Sequence, residues 1–216
     1  MSIKGAIFDM DGTLLDSMHA WVKIGERYIK TKGIVLSDEQ KGLVGGMLLE
    51  EMSEYLKKEF DFNLAPPEIV AEINRMVEDE YFHKIVAKPG VREFLETLKE
   101  NNIKMCVATA TDRYITEAVL ERLDLLKYFE CIFTCGELHV DKSTPDIYDR
   151  ALEALGTKKE ETYVFEDTYL PISTLHKAGY KFVAVSDKWS KHREEDIKKI
   201  SKIFVEDLST LDINTL

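Results

Sequence analysis

A chain of 216 residues with 29 basic and 40 acidic side chains carries a net charge of −11. A field of that sign repels nucleic-acid backbones and anionic membrane surfaces, which argues against either as a partner. With 44% hydrophobic and 32% charged residues the composition is globular, not disordered or collagen-like, and the length suits one core domain plus a modest insertion.

The apolar run before Asp9 is too short for a signal peptide or a membrane span, so the expected location is the cytoplasm. Ile3–Phe8 reads as the first strand. From Ser17 to about Val86 the pattern turns helical without interruption. Trp21, Ile24, Tyr28 and Ile29 share helical spacing, then Met52, Tyr55 and Leu56, then Ile69, Ile73, Met76 and Val77. Pro66-Pro67 reads as a turn inside this block, and Lys88-Pro89-Gly90 closes it. The expected division is a core of 1–16 with 87–216 and a helical cap of 17–86, joined by two hinge connections.

Beyond Pro89, short β-rich runs alternate with helical stretches: Lys104–Thr109, Cys131–Thr134, Thr162–Phe165, Phe182–Val185 and Ile203–Val205. That alternation predicts an α/β fold, a Rossmann-like parallel sheet with helices on both faces and ligands at the carboxyl ends of the strands. Cys106, Cys131 and Cys135 lack the companion ligands of a zinc site and read as reduced core thiols; a redox pairing of Cys131 with Cys135 is the alternative. No internal repeat is evident, and the expected oligomeric state is a monomer.

The chemistry concentrates at strand ends. Asp9-Met10-Asp11-Gly12-Thr13 follows an apolar strand, so two carboxylates one residue apart face the carboxyl edge, on one side if strand geometry persists. Their repulsion, on the order of 1–4 kcal/mol at intermediate dielectric, calls for compensation, and Mg²⁺ with oxygen ligands suits a site shared with phosphate. Gly12 permits a tight turn, and Thr13 offers a hydroxyl and N–H to an anion. Another buried-type strand ends in Glu166-Asp167, and acids from two strand ends converge on one metal, Asp167 as direct ligand and Glu166 as ligand or supporting partner. Thr109-Ala110-Thr111 opens a helix near Asp112 and offers groups to a phosphate oxygen. Lys142 precedes a helix opened by Pro145, where its ammonium would neutralise both nucleophile and transferring group.

In order and spacing, FDMDGTLLDS, VATAT, DKSTPDIY and VFEDT resemble the motifs of the haloacid dehalogenase superfamily of phosphotransferases. The resemblance spans the chain, and the insertion after the first motif resembles the helical cap of the subgroup that includes β-phosphoglucomutase and many small-metabolite phosphatases. It implies Asp9 as nucleophile, Asp11 as general acid/base with its backbone carbonyl at the metal, Thr109 and Lys142 as positioners of phosphate and nucleophile, and Asp167 with Glu166 at Mg²⁺. The implied activity is hydrolysis of a small phosphorylated metabolite, a sugar phosphate or nucleotide, through an aspartyl-phosphate. Pro171 stands where the family usually carries glycine, and Lys142-Ser143-Thr144-Pro145 keeps the lysine and second proline of a Lys-Pro-x-Pro motif.

A phosphomutase would need a cap cation for a second phosphate. The loop Leu43-Val44-Gly45-Gly46-Met47-Leu48-Leu49 contains no arginine, and Trp21 occupies the position where that subgroup has a histidine, which favours hydrolysis. Arg27, Lys41 and Arg75 remain as substitutes. His19 reads as a solvated or core-satisfied histidine, Trp21 as a staple between cap helices. The competing readings are a β-phosphoglucomutase-like phosphomutase and a non-catalytic metabolite-binding regulator; a dehalogenase would not need Asp11, Glu166 and Asp167.

Overall fold

The computed structural model describes residues 3–45, 47 and 49–216. In chain order, β1 (Gly5–Phe8) precedes α1 (Met18–Trp21), α2 (Ile24–Thr31), α3 (Asp38–Val44), α4 (Leu49–Phe60) and α5 (Pro66–His83). Then come α6 (Val91–Glu100), β2 (Lys104–Thr109), α7 (Arg113–Arg122), β3 (Cys131–Thr134), α8 (Cys135–Leu138) and α9 (Asp146–Leu155). The chain finishes with β4 (Thr162–Glu166), α10 (Tyr169–Lys177), β5 (Lys181–Val185), α11 (Glu194–Ile200) and β6 (Phe204–Val205), with short 3₁₀ turns between elements. Two compact units result, residues up to Ser17 with Ile85–Leu216, and Met18–Lys84. No helix among the described residues is long and apolar enough to cross a membrane.

The first unit is a six-stranded sheet of order β3-β2-β1-β4-β5-β6, every neighbouring pair parallel. This is the α/β class that the alternating pattern predicts. In the central strands β1 and β4 every residue is buried whichever way it points, as in a parallel sheet covered on both faces. Ile7, Cys106, Ala108 and Val164 pack with Ile147, Tyr148, Ala151 and Leu175. Phe8 stacks on Phe165 with ring centroids 4.4 Å apart, and Phe94 meets both rings edge-on. The aligned pairs Phe8↔Val107 and Phe8↔Phe165 bring the carboxyl ends of β1, β2 and β4 level. Strand order reverses beside β1, where such sheets bind ligands.

The second unit has its own core of Tyr28, Ile29, Leu36, Val44, Met52, Leu56, Ile69 and Ile73. The periodic residues that predicted helices supply most of it. Ser37 Oγ accepts the Gln40 N–H while Gln40 Oε1 accepts the Ser37 N–H, a reciprocal cap that starts α3. Trp21 Nε1 donates to Tyr81 Oη at 2.8 Å, tying α1 to α5. Gly46 and Leu48 of the arginine-free loop lie outside the described residues.

Several expectations need correction. Pro66-Pro67 is not a turn but the first turn of the 18-residue α5, where a missing N–H costs nothing and a fixed φ suits the helix. The first strand starts at Gly5, not Ile3, and β4 runs one residue further, to Glu166. Of the three cysteines, all unbridged, only Cys106 is fully buried; Cys131 is half-buried because β3 is the sheet's edge, and Cys135, half-buried too, opens α8 after it. The cross-strand partner of Cys131 is Cys106, not Cys135.

Candidate active site

Strand register builds the site. The Asp9 N–H donates to the Phe165 carbonyl at 3.0 Å, extending the β1–β4 ladder one residue and setting Asp9 beside Glu166 and Asp167. Beyond Asp9 the chain turns: Leu14 and Leu15 N–H both bond the Met10 carbonyl at 2.9 Å, and Gly12 sits at φ +85°. That φ suits glycine. A Cβ on Gly12 would lie 2.4 Å from Asp167 Oδ2, so this position needs a bare backbone for two reasons.

Asp9, Glu166 and Asp167 are buried, and each places a carboxylate oxygen within 4.8 Å of the others. Lys142 Nζ donates to Asp9 Oδ1 and, at 2.7 Å, to Glu166 Oε1. Tyr148 Oη donates to the same Glu166 oxygen at 3.0 Å, and the Asp167 N–H donates to Glu166 Oε2 at 3.2 Å. Glu166 is thus held by protein donors on both oxygens. Asp167 differs: Oδ1 accepts from Thr13 Oγ1 at 3.4 Å, whereas Oδ2 is buried with no hydrogen-bond partner. A buried carboxylate oxygen without a donor costs on the order of 1–3 kcal/mol or more, and a hard divalent cation would satisfy it. The donor set, all oxygen and strongly acidic, fits such an ion.

The electrostatics agree. Burial, then the Glu166 charge, pushes the Asp9 carboxyl up to about 7 against the pull of Lys142. Burial and the charges of Asp9 and Glu166 push Asp167 well above the ordinary carboxylate range. Burial works against the Lys142 ammonium, but Asp9 and Glu166 outweigh it and hold the lysine protonated.

Asp11 faces a different set of partners. Its Oδ1 accepts from Ser17 Oγ and its Oδ2 from Thr111 Oγ1, each at 2.6 Å, and its charge adds to the upward push on Asp9. Thr109 is buried at the end of β2, its Oγ1 taken by the Thr111 N–H at 3.1 Å, while Ala110 is exposed. Ser17, Thr111 and Tyr148 carry roles that sequence reasoning did not assign, although each lies inside a motif stretch. Lys88 and Asp187 were also missed. Asp187 follows the apolar run Phe182–Val185, and the strand-end rule that singled out Asp9 and Asp167 applies equally to it.

Among the cations considered for a second phosphate, Arg27 bonds the His19 and Ala20 carbonyls and Glu80, and Lys41 pairs with Asp38. His19 Nε2 lies 3.8 Å from Glu80.

A parallel α/β sheet carries a buried acidic cluster and a buried lysine at the carboxyl ends of its central strands. The family described as haloacid dehalogenase-like hydrolase matches residues 6–185, and the chain belongs to it. It is 27% identical over 177 residues to a phosphorylated carbohydrates phosphatase of Thermotoga maritima, covering 82% of each chain. It is 26% identical over 181 residues to the validoxylamine A 7'-phosphate phosphatase of Streptomyces hygroscopicus subsp. limoneus, again covering 82% of each. The fold matches the crystal structure of CbbY from Rhodobacter sphaeroides in complex with phosphate at a TM-score of 0.76, with 18% identity over 97% of this chain and 96% of the other.

Proposed function

We propose that the protein is a Mg²⁺-dependent phosphatase that hydrolyses a small phosphorylated metabolite through a phosphoryl-aspartate at Asp9. The observation that carries this reading is the buried Asp9–Asp167–Lys142 constellation, in which Asp167 keeps an unpartnered oxygen. Both relatives described above are named phosphatases, which supports the reaction class.

Asp9 attacks phosphorus, forming a P–O bond to its carboxylate as the bond to the leaving alcohol breaks. Asp11, held by Ser17 and Thr111, gives the alcohol its proton, then takes one from the water that attacks the phosphoryl-aspartate. Phosphate leaves and Asp9 is restored. Lys142 steadies the Asp9 oxygen and offsets charge on the phosphoryl group, while Glu166, itself held by Tyr148, keeps the lysine in place. Thr13, Thr109, Ala110 and the turn at Gly12 shape the phosphoryl pocket. Asp9, Asp167 and the Asp11 carbonyl would hold a divalent cation, which would supply electrostatic stabilisation of the phosphoryl oxygens. The helical unit is the element that selects the substrate. The loop without arginine favours hydrolysis over transfer between two positions of a sugar, and Arg27, one of the three substitute cations, is engaged by Glu80.

The test is hydrolysis of p-nitrophenyl phosphate and a panel of sugar phosphates and nucleotides, with and without Mg²⁺. We expect Mg²⁺-dependent release of phosphate, abolished in a folded Asp9→Asn variant. Wild-type rates in that variant remove Asp9 from the nucleophile role, and hexose 6-phosphate formed from hexose 1-phosphate identifies a mutase instead.

A further inference from the structure

A lysine outside the acidic cluster is as buried as Lys142, and the reaction described above does not use it. Lys88 lies where the chain, back in the sheet unit from Ile85, runs beside the turn after β1. Leu15 pairs with Ala87 in an antiparallel bridge, and the Lys88 N–H donates to the Leu14 carbonyl at 2.9 Å. Pro89 follows and narrows the backbone of Lys88 to extended conformations, which aims its side chain. The ammonium, about one-tenth exposed, has three acceptors for its three donors: the Gly12 carbonyl, the Ser186 carbonyl at 2.6 Å and Asp187 Oδ2 at 3.4 Å. Asp187 Oδ1 in turn accepts the Trp189 N–H at 2.9 Å.

The distances decide what this lysine is for. In a simple buried ion pair the carboxylate is the nearest acceptor. Here both carbonyls are nearer than the acid, and one belongs to Gly12, the residue whose backbone abuts the unpartnered oxygen of Asp167. With all three protons committed, the ammonium has none left for a substrate. We infer that Lys88 is a positioning residue: it fixes the Gly12 peptide against the end of β5, and so sets the turn that carries Asp9 and Asp11 relative to Asp167. Asp187 orients the lysine, and the Ser186 carbonyl anchors it to the strand. This inference rests on the phosphatase reading for its consequence in turnover, not for its geometry.

Lys88→Met alone leaves Asp187 buried without its counter-ion, so a loss of activity there has two explanations. The double variant K88M/D187N removes that charge while the Gly12 carbonyl remains unheld. We expect K88M/D187N to melt closer to the wild-type temperature than K88M. Its kcat on p-nitrophenyl phosphate should nonetheless be reduced about 10- to 100-fold with little change in KM, the scale of a misplaced catalytic loop. Amide hydrogen exchange in the peptide spanning residues 9–15 should quicken in the double variant, a readout that needs no turnover. A double variant with wild-type kcat, or with wild-type exchange in that peptide, makes Lys88 a mere counter-ion of Asp187 and overturns the inference. If wild-type protein turns over none of the phosphate esters, the phosphatase reading fails, and the exchange measurement alone decides the role of Lys88.

Discussion

Asp9 lies buried between two other carboxylates and one ammonium, and that imbalance has a measurable consequence. Its carboxyl is raised from 3.8 to about 7, chiefly by burial and by Glu166. A raised acid binds its proton more tightly in the folded chain than in the unfolded one. The stability it contributes is therefore complete below the unfolded value of 3.8 and is lost as pH climbs through about 7. Asn at the same position does not titrate, so in metal-free protein the melting temperature of the wild type, relative to Asp9→Asn, should fall between about pH 4 and about pH 7. Mg²⁺ should oppose that fall in the wild type by favouring the ionised carboxylates. Thermal melts of both proteins across this range, with EDTA or with Mg²⁺, provide the check; a difference that stays flat or rises with pH contradicts the electrostatics. Asp9 and Asp167 stand out in the sequence because apolar runs deliver them to one edge of a sheet, and Lys142 because it precedes a helix opened by Pro145 after the third core strand. Which oxygen meets which donor does not, since Tyr148 reaches Glu166 from α9 and Thr111 reaches Asp11 across one hundred residues of chain.

At the scale of elements, the turn between β1 and α1 bears the tightest constraint. Gly12 combines φ +85° with an approach to Asp167 that leaves no space for a methyl group. Gly12→Ala should destabilise the protein by about 1–3 kcal/mol through backbone strain. Turnover should fall further than stability, because the new Cβ would displace the Asp167 carboxylate. Denaturant melts together with kcat for p-nitrophenyl phosphate measure both effects, and full activity in the variant would show that Asp167 does not need its present position. Element type was legible where hydrophobic periodicity was strong: the runs at Lys104–Thr109 and Cys131–Thr134 coincide with β2 and β3 residue for residue. It failed at Pro66-Pro67, because a proline pair breaks a helix interior but starts a helix well, and only the surrounding chain distinguishes the cases. The burial of Cys131 was misread for a related reason. Nothing in a run of β-formers says that its strand will be the last in the sheet.

Over the whole molecule the described residues include one core cluster around the sheet and another within Met18–Lys84. Stability need not be uniform across such a chain, and hydrogen exchange reads each region by itself. Ile73 is fully buried in the helical core, and Ile73→Ala should cost about 2–5 kcal/mol, the range for deleting a large aliphatic side chain from a packed site. If the cores are energetically independent, that loss should appear as faster amide exchange in α2, α4 and α5, while β1, β2 and β4 keep wild-type protection. Leu175→Ala, in the sheet core, should give the reverse pattern. Uniform acceleration in both variants would mean that the chain opens as one cooperative body. Independent opening would instead leave the β1 turn, with Asp9, Asp11 and Gly12, protected while the helical unit exchanges, so that the acidic cluster keeps its geometry as the helical unit fluctuates.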